Sequence, residues 1–425
     1  METMKQTGIQ WIGEIPSNWN TKRIKYMANL KGRIGWQGLT SDEYQDEGAY
    51  LITGVDFADG GIDWENCVHV PMKRWEEAKD IQIQNGDLLI TKDGTIGKVA
   101  IVSDMPGETS LNSGVLRIVP VEGYSRRFLY WVIKSDEFWN WFNIKNSGNS
   151  TIVHLYQGDF AEFLYAFPSF DEQEAIATFL DEHCGRLDNI ISDIKTQIDV
   201  LKKYRKSLVT QVVTKGMDSS VPMKDSGVDW IGSIPVSWEV KRLKYVMDNF
   251  DYLRRPIDAP SRTQEGDILY DYYGASGVID QIDDYIVEGD KLLIGEDGAN
   301  LVMRNLPLIY LASGKYWVNN HAHILYPKNG GCLHYFAHQM EIIDYTTFIT
   351  GSAQPKLNQE NLNNVMLVVP DLTSQQKIAM FLDEKCQQID SIIESKRLQL
   401  TAIMKHQSSL IFEYVTGKKR VKEVR

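Results

Sequence analysis

Apolar residues between Leu187 and Val212 fall at Leu187, Ile191, Ile194, Ile198, Leu201, Leu208 and Val212, stepping by four and three, with Arg205 at the one missing position. This heptad seam belongs to a helix that buries one stripe against a partner, and it predicts one long helix over 171–213. A second seam follows at Ile389, Ile393, Lys396, Leu400, Ile403, Gln407, Leu410 and Tyr414, with polar breaks at Lys396 and Gln407. Either helix could lie on its own domain, as amphipathic surface helices do. That the seam occurs twice favours a mutual coiled coil, because two isolated seams would each need a separate cover. An antiparallel pair is expected, since the path from Thr214 to the second seam runs through a whole domain rather than a short loop.

Elsewhere the alternation is that of a mixed α/β (α+β) chain. Residues 86–102 read as strand, turn at Asp93-Gly94 and strand; 113–121 reads as a further strand, and 126–142 carries aromatics at helical spacing. The later counterparts are 289–303, a strand over 316–327 and a helix over 334–345. Glycine-marked loops at 148–155 and 351–358 lead toward the two seams. The expected domains are 1–170, a first spacer helix 171–215, a second domain 216–372, and a second helix with a basic tail over 373–425.

The chain repeats itself. GIQWIGEIPSNWNTKRIKY at 8–26 returns as GVDWIGSIPVSWEVKRLKY at 227–245, and QEAIATFLDEHCGRLDNII at 173–191 returns as QQKIAMFLDEKCQQIDSII at 375–393. Between these markers the halves differ almost everywhere, as expected of a common frame that carries two different readers. Two repeats this long are not a solenoid. They imply internal pseudo-twofold symmetry and a bipartite target.

Composition narrows the class. At 425 residues, 43% hydrophobic and 24% charged, the sequence is that of an ordinary globular protein. No apolar stretch approaches the ~18 residues of a membrane span, so no membrane partner is expected and the cytoplasm is the expected compartment. Cys184 and Cys386 occupy the same position in the two repeats, which favours buried packing thiols. A net charge of −12 leaves little general attraction for phosphate. A nucleic-acid role would need a locally basic face, or a partner that supplies part of the neutralisation.

The doubled WIGxIPxxWxxKRxKY element, the segments NHAHIL (320–325) and GSAQPKLN (351–358), and the PxxxxQxxIAxFLDxxxxxID run opening each long helix resemble the specificity subunit of type I restriction-modification enzymes. The resemblance covers nearly the whole chain. It implies two target recognition domains joined by two long antiparallel helices that act as a ruler, each domain reading one half of a split double-stranded DNA site. It also implies two methylation subunits and a motor-nuclease restriction subunit as partners. S-adenosylmethionine, ATP and Mg would then sit on those partners, with no cofactor and no catalysis on this chain. In accord with that, the sequence has no [DNS]PP[YF] tetrapeptide, no GxGxxG after a strand and no Walker A. The nearest approach, Gly94 to Val99, spaces its glycines wrongly and lacks Ser/Thr after Lys98. The alternative is a coiled-coil scaffold without a DNA role, which would show longer heptads and bland intervening domains. A modification enzyme with a fused reader would need the missing motifs.

His321, His323, Cys332, His334 and His338 crowd together, but they are spread over strand, loop and helix without finger spacing, so no metal site is expected. Asp87/Asp290 and Asp93/Asp297 recur, and Asp-Gly reads as turn chemistry. Base-reading residues should lie in the divergent loops, with Arg and Lys suiting guanine and Asn and Gln suiting adenine. This nominates Lys92, Lys98, Asn112, Asn146, Asn149, Thr151 and His154 in the first half. In the second it nominates Tyr273, Ser276, Asn300, Lys315, Asn319, Asn320, His321, Gln354, Lys356 and Asn358. The repeated Lys22-Arg23 and Lys241-Arg242 suit an architectural or phosphate role.

Overall fold

The computed structural model describes residues 3–33, 39–58, 60–147, 153–351 and 355–421. Internal packing divides the chain into two units, Met1–Ile194 with Leu398–Arg425, and Lys195–Arg397, so each long helix is shared between them.

The first unit is built on an antiparallel sheet ordered Val99–Ile101, Leu88–Thr91, Val115–Pro120 and Ala28–Gly32. Every residue of Leu88–Thr91 is buried, which is why this strand reads as a continuous apolar run rather than an alternating one. In a second sheet Thr109–Leu111 runs parallel to Ala49–Ile52, which pairs antiparallel with Val68–Val70. The single helix expected over 126–142 is instead two, Arg126–Lys134 and Asp136–Lys145. Ser135 breaks it: the residue is extended, its hydroxyl donates to the Val132 carbonyl, and the same oxygen accepts the Glu137 N–H to cap the second helix. The second helix then delivers Phe138, Trp141 and Phe142 onto Phe160 and Phe163 in the core.

The second unit repeats the plan. Its antiparallel sheet is ordered Met247–Asn249, Ala322–Pro327, Lys291–Gly295 and Ile309–Ala312. Beside it Tyr270–Gly274 runs parallel to Lys315–Val318 and antiparallel to Gly277–Ile282. Two expectations need correction. The strand over 316–327 is two strands in different sheets, separated where Asn319 turns the chain. After Asp297-Gly298 the chain enters the short helix Asn300–Met303 and returns only at Ile309, because the Asn300 amide bonds the Leu306 N–H and the Leu306 carbonyl and closes a wider loop. The helix expected over 334–345 is Leu333–Ile342.

The long helices run Phe170–Lys215 and Leu372–Val415, each nearly 70 Å at ~1.5 Å per residue. Both are capped at the start, by Ser169 with Glu172 and by Asp371 with Ser374. Within the first unit Phe179 stacks on Tyr414 at 4.3 Å, and the Gln407 amide donates to Asp188 at 2.8 Å. Within the second, Lys396 donates to Gln197 at 2.5 Å and Arg205 pairs with Asp390 at 3.0 Å. Rising numbers on one helix thus meet falling numbers on the other, so the pair is antiparallel. Ile194, Ile198, Ile389 and Ile393 are buried, and Leu187, Ile191, Leu201, Leu208, Leu400, Ile403 and Leu410 are partly so. The three polar breaks in the seams, Arg205, Lys396 and Gln407, each find a partner on the facing helix, a device that fixes register.

Candidate nucleic-acid interface

One end of each domain gathers the ends of both sheets and the loop that leads to the long helix. Four hydrogen bonds hold this end in the first domain. Lys92 N–H donates to Gly114 O (2.8 Å), Leu155 N–H to Lys92 O (3.0 Å), Asn112 N–H to Ile52 O (3.0 Å) and Gly114 N–H to Asn112 Oδ1 (2.5 Å). The same four recur in the second. Glu296 N–H donates to His321 O (2.8 Å), Leu357 N–H to Glu296 O (2.7 Å), Asn319 N–H to Tyr273 O (3.0 Å) and His321 N–H to Asn319 Oδ1 (2.8 Å). Three of the four are backbone to backbone, so the frame survives while side chains change.

The side chains displayed on this frame differ. In the first domain Lys92, Asn112 and His154 come together beside the exposed turn 94–95, with Lys98 exposed at its far side. Thr95 donates to the Gly54 carbonyl at 3.3 Å and so brings the 53–56 loop alongside, with Val55 82% exposed. Asn146 instead closes the helix Asp136–Lys145, its amide donating to Phe142 O. Asn149 and Thr151 lie outside the described residues, as does Gln354 in the second half.

In the second domain Ser276 and Asn320 are exposed, and His321 and Lys356 flank the Asp297 turn. The Gly274–Gly277 hairpin sits so close that a Cβ on Gly295 would meet the Ala275 carbonyl at 2.6 Å. Asn319 is 4% exposed and serves the turn described above. Tyr273 packs edge-on against Tyr316. Asn358 caps the helix Gln359–Asn363, and Asn300 closes its own loop. Lys315 stands at the opposite end of its strand from Asn319, over the Tyr285 ring at 4.3 Å.

Beneath this end the second domain carries a buried ionic cluster. His323 is fully buried, with Nδ1 2.6 Å from Asp251 and Nε2 2.7 Å from the Leu357 carbonyl, so it ties the 355–358 segment to the sheet. Arg254 bonds Glu296, whose other oxygen takes Lys356 at 3.0 Å. Burial works against the charges of Asp251 and Glu296, but His323, Arg254 and, for Glu296, Lys356 hold both carboxyls below the ordinary range. His334 and His338 both turn onto Asp383. Among the described residues no group of three is placed to hold a metal ion, and no helix is long and apolar enough to cross a membrane. Cys184 and Cys386 are buried in equivalent cores, where burial raises both thiols, Cys184 to about 12.

The sequence reading missed the partners of Asp93 and Asp297. Asp93 faces His154 at 2.6 Å and Asp297 faces His321 at 2.7 Å. The recurrence of the two aspartates was the available signal, but their Asp-Gly context pointed to a turn. Lys22-Arg23 lie on the strand Asn20–Arg23, paired with Leu164–Phe167, and Lys241-Arg242 on the strand Glu239–Arg242, paired with Met366–Val369; Arg23 meets Glu162 at 3.0 Å.

These features agree with the relatives found. The profile of the type I restriction modification DNA specificity domain matches residues 16–200 and 235–402, taking in both sheet-bearing domains as well as the helices. The type I restriction enzyme MjaVIII specificity subunit of Methanocaldococcus jannaschii is 24% identical over 96% of this chain and 95% of its own, and the MjaIX specificity subunit of the same organism is 22% identical over 97% and 96%. A chain in a solved structure of type I R-M complex assembly and conformational transition has the same fold, with a TM-score of 0.68 over 95% of this chain and 99% of that one at 14% identity. On the profile match across most of its length, the chain belongs to the type I restriction-modification DNA specificity family.

Proposed function

We propose that this chain is the non-catalytic specificity subunit of a type I restriction-modification complex and reads a bipartite double-stranded DNA site, one domain to each half. The observation that carries this is the pair of matched frames. Identical backbone hydrogen bonds hold Lys92, Gly114 and Leu155 in one domain and Glu296, His321 and Leu357 in the other, so one architecture presents two different sets of side chains. A shared frame cannot encode two half-sites, whereas the substituted positions can.

Two methylation subunits, one per half, fit a second repeated feature. Residues repeated for folding are buried, as Trp19 and Trp238 are, yet Tyr26 and Tyr245 are repeated and remain 59% and 63% exposed, each with its neighbouring lysine over the ring. An exposed pair kept in both halves suits a partner that docks twice in the same way. S-adenosylmethionine would then reside on the methylation subunits, and ATP and Mg on the restriction subunits, in the cytoplasm. The −12 charge makes the partners the source of much of the phosphate contact. Sequencing of methylated bases in the host genome with and without this gene tests the reading. A split motif should lose its methylation when the gene is removed, and an unchanged methylome would contradict the proposal.

A further inference from the structure

In both domains a histidine closes onto the aspartate of the same Asp-Gly turn, yet the two histidines arrive from different stations. His154 stands where the second domain has Lys356, and His321 where the first has Gly114. In each case the contact is at Nδ1, 2.6 Å from Asp93 Oδ1 and 2.7 Å from Asp297 Oδ2. The imidazoles are 39% and 46% exposed, and neither Nε2 has a partner among the described residues. The other histidines around the second sheet are occupied otherwise: His323 is tied at both nitrogens, while His334 and His338 share Asp383.

A carboxylate at Nδ1 fixes that nitrogen as the donor and leaves Nε2 as the outward atom. Beside a DNA backbone a bare Asp93 or Asp297 carboxylate would be repelled. Paired with an imidazolium it is neutralised and presents an N–H to phosphate or guanine acceptors. Among the described residues the charged groups beside His154 are Asp93, bonded to its Nδ1, and Lys92, whose carbonyl accepts from the neighbouring Leu155 N–H, with the Tyr156 ring 5.9 Å away. Against His321 stands Asp297, and next to it Glu296 is bound by Arg254 and Lys356.

We propose that Asp93 and Asp297 are positioning residues, each holding a histidine imidazolium at Nδ1 so that its Nε2–H donates to the half-site read by that domain, with one solvent proton taken up at each Nε2 as DNA binds. The proposal rests on the reading of the chain as a DNA specificity subunit. Because the same aspartate receives its histidine from two directions, the donor is offered at a different place in each domain, which is what two different half-sites require.

The test uses the full chain in complex with its methylation subunits and a fluorescent duplex carrying the motif found in the host methylome. Anisotropy is measured at fixed salt between pH 6.0 and 8.5, values that bracket the ordinary histidine range of about 6.5. Wild-type affinity should fall as pH rises, by up to about tenfold per unit for each proton taken up. His154→Gln and His321→Gln should each remove one share of that slope, and Asp93→Asn and Asp297→Asn should each weaken it, with thermal melting of the proteins unchanged. The histidine variants keep the test intact if an aspartate variant fails to fold, since both rings are half exposed. A flat wild-type profile, or variants that keep the wild-type slope, would overturn the pairing while leaving DNA recognition in place. A wild-type complex that shows no preference for the motif at any pH would instead overturn the underlying reading.

Discussion

The Trp19 ring lies against Gly417, just past the end of the second long helix, where a Cβ would come within 2.9 Å of it; Trp238 lies in the same way against Gly216, past the end of the first. Both glycines have positive φ, +71° and +76°, so they end their helices in a conformation that other residues adopt at a cost. The repeated WIGxIPxxW element therefore has a physical reason: in each unit it seats the end of a long helix. Trp19→Ala should destabilise the first unit by about 3–5 kcal/mol, and Gly216→Ala the second by about 1–2 kcal/mol. Chemical denaturation of the full chain measures both, and an undisturbed midpoint for Trp19→Ala would contradict the account.

Glu137 titrates in the core of the first unit. Burial pushes its carboxyl up to about 8, against the opposing effects of the Ala166 N–H at 3.0 Å and the charge of Lys418. A folded value above the unfolded one of about 4.3 means that the stability this group contributes is fully present below that unfolded value and is lost as pH rises through about 8. Glu137→Gln cannot ionise. Its advantage in unfolding free energy over wild type should widen from pH 5 to pH 9, reaching the order of a few kcal/mol. Parallel curves for the two proteins would show that Glu137 does not titrate in this range.

The long helices were legible because a seven-residue period survives in sequence whatever surrounds it, and Arg205, Lys396 and Gln407 stood out as breaks in that period. Ser135 and Asn319 were not legible as boundaries. Each sits inside a run of suitable residues, and each acts through a short side-chain bond to nearby backbone. Asn112 and Asn319 look like base readers by residue type, but their carbonyl oxygens close turns. The matched frame left little mark in sequence because three of its four bonds are main-chain to main-chain. Asp93 and His154, 61 residues apart, gave no local pattern at all.

Tyr26→Ala and Tyr245→Ala should leave the isolated chain folded, since both rings are mostly exposed, and should weaken its capture of methylation subunits. Each substitution alone should reduce the stoichiometry toward one methylation subunit per chain, and the double variant toward none, read by native mass spectrometry of the reconstituted complex. Unchanged assembly in the double variant would place the docking surface elsewhere.

Lengthening both helices by one heptad, after Gln197 and after Lys396, keeps the seam in register. Seven residues add about 10 Å at ~1.5 Å per residue, close to three base pairs of B-DNA. The unspecified gap of the methylated motif should grow by that amount with both half-sites unchanged. An active complex with the original gap would show that the helices do not set the spacing.

The most direct test of the central claim, that each domain reads its own half-site, is methylome sequencing of a hybrid in which residues 216–370 are exchanged for the matching part of a relative with a known motif. The account predicts that one half of the methylated sequence changes to the relative's while the other half and the gap stay as they were. A motif that changes in both halves, or in neither, would contradict it.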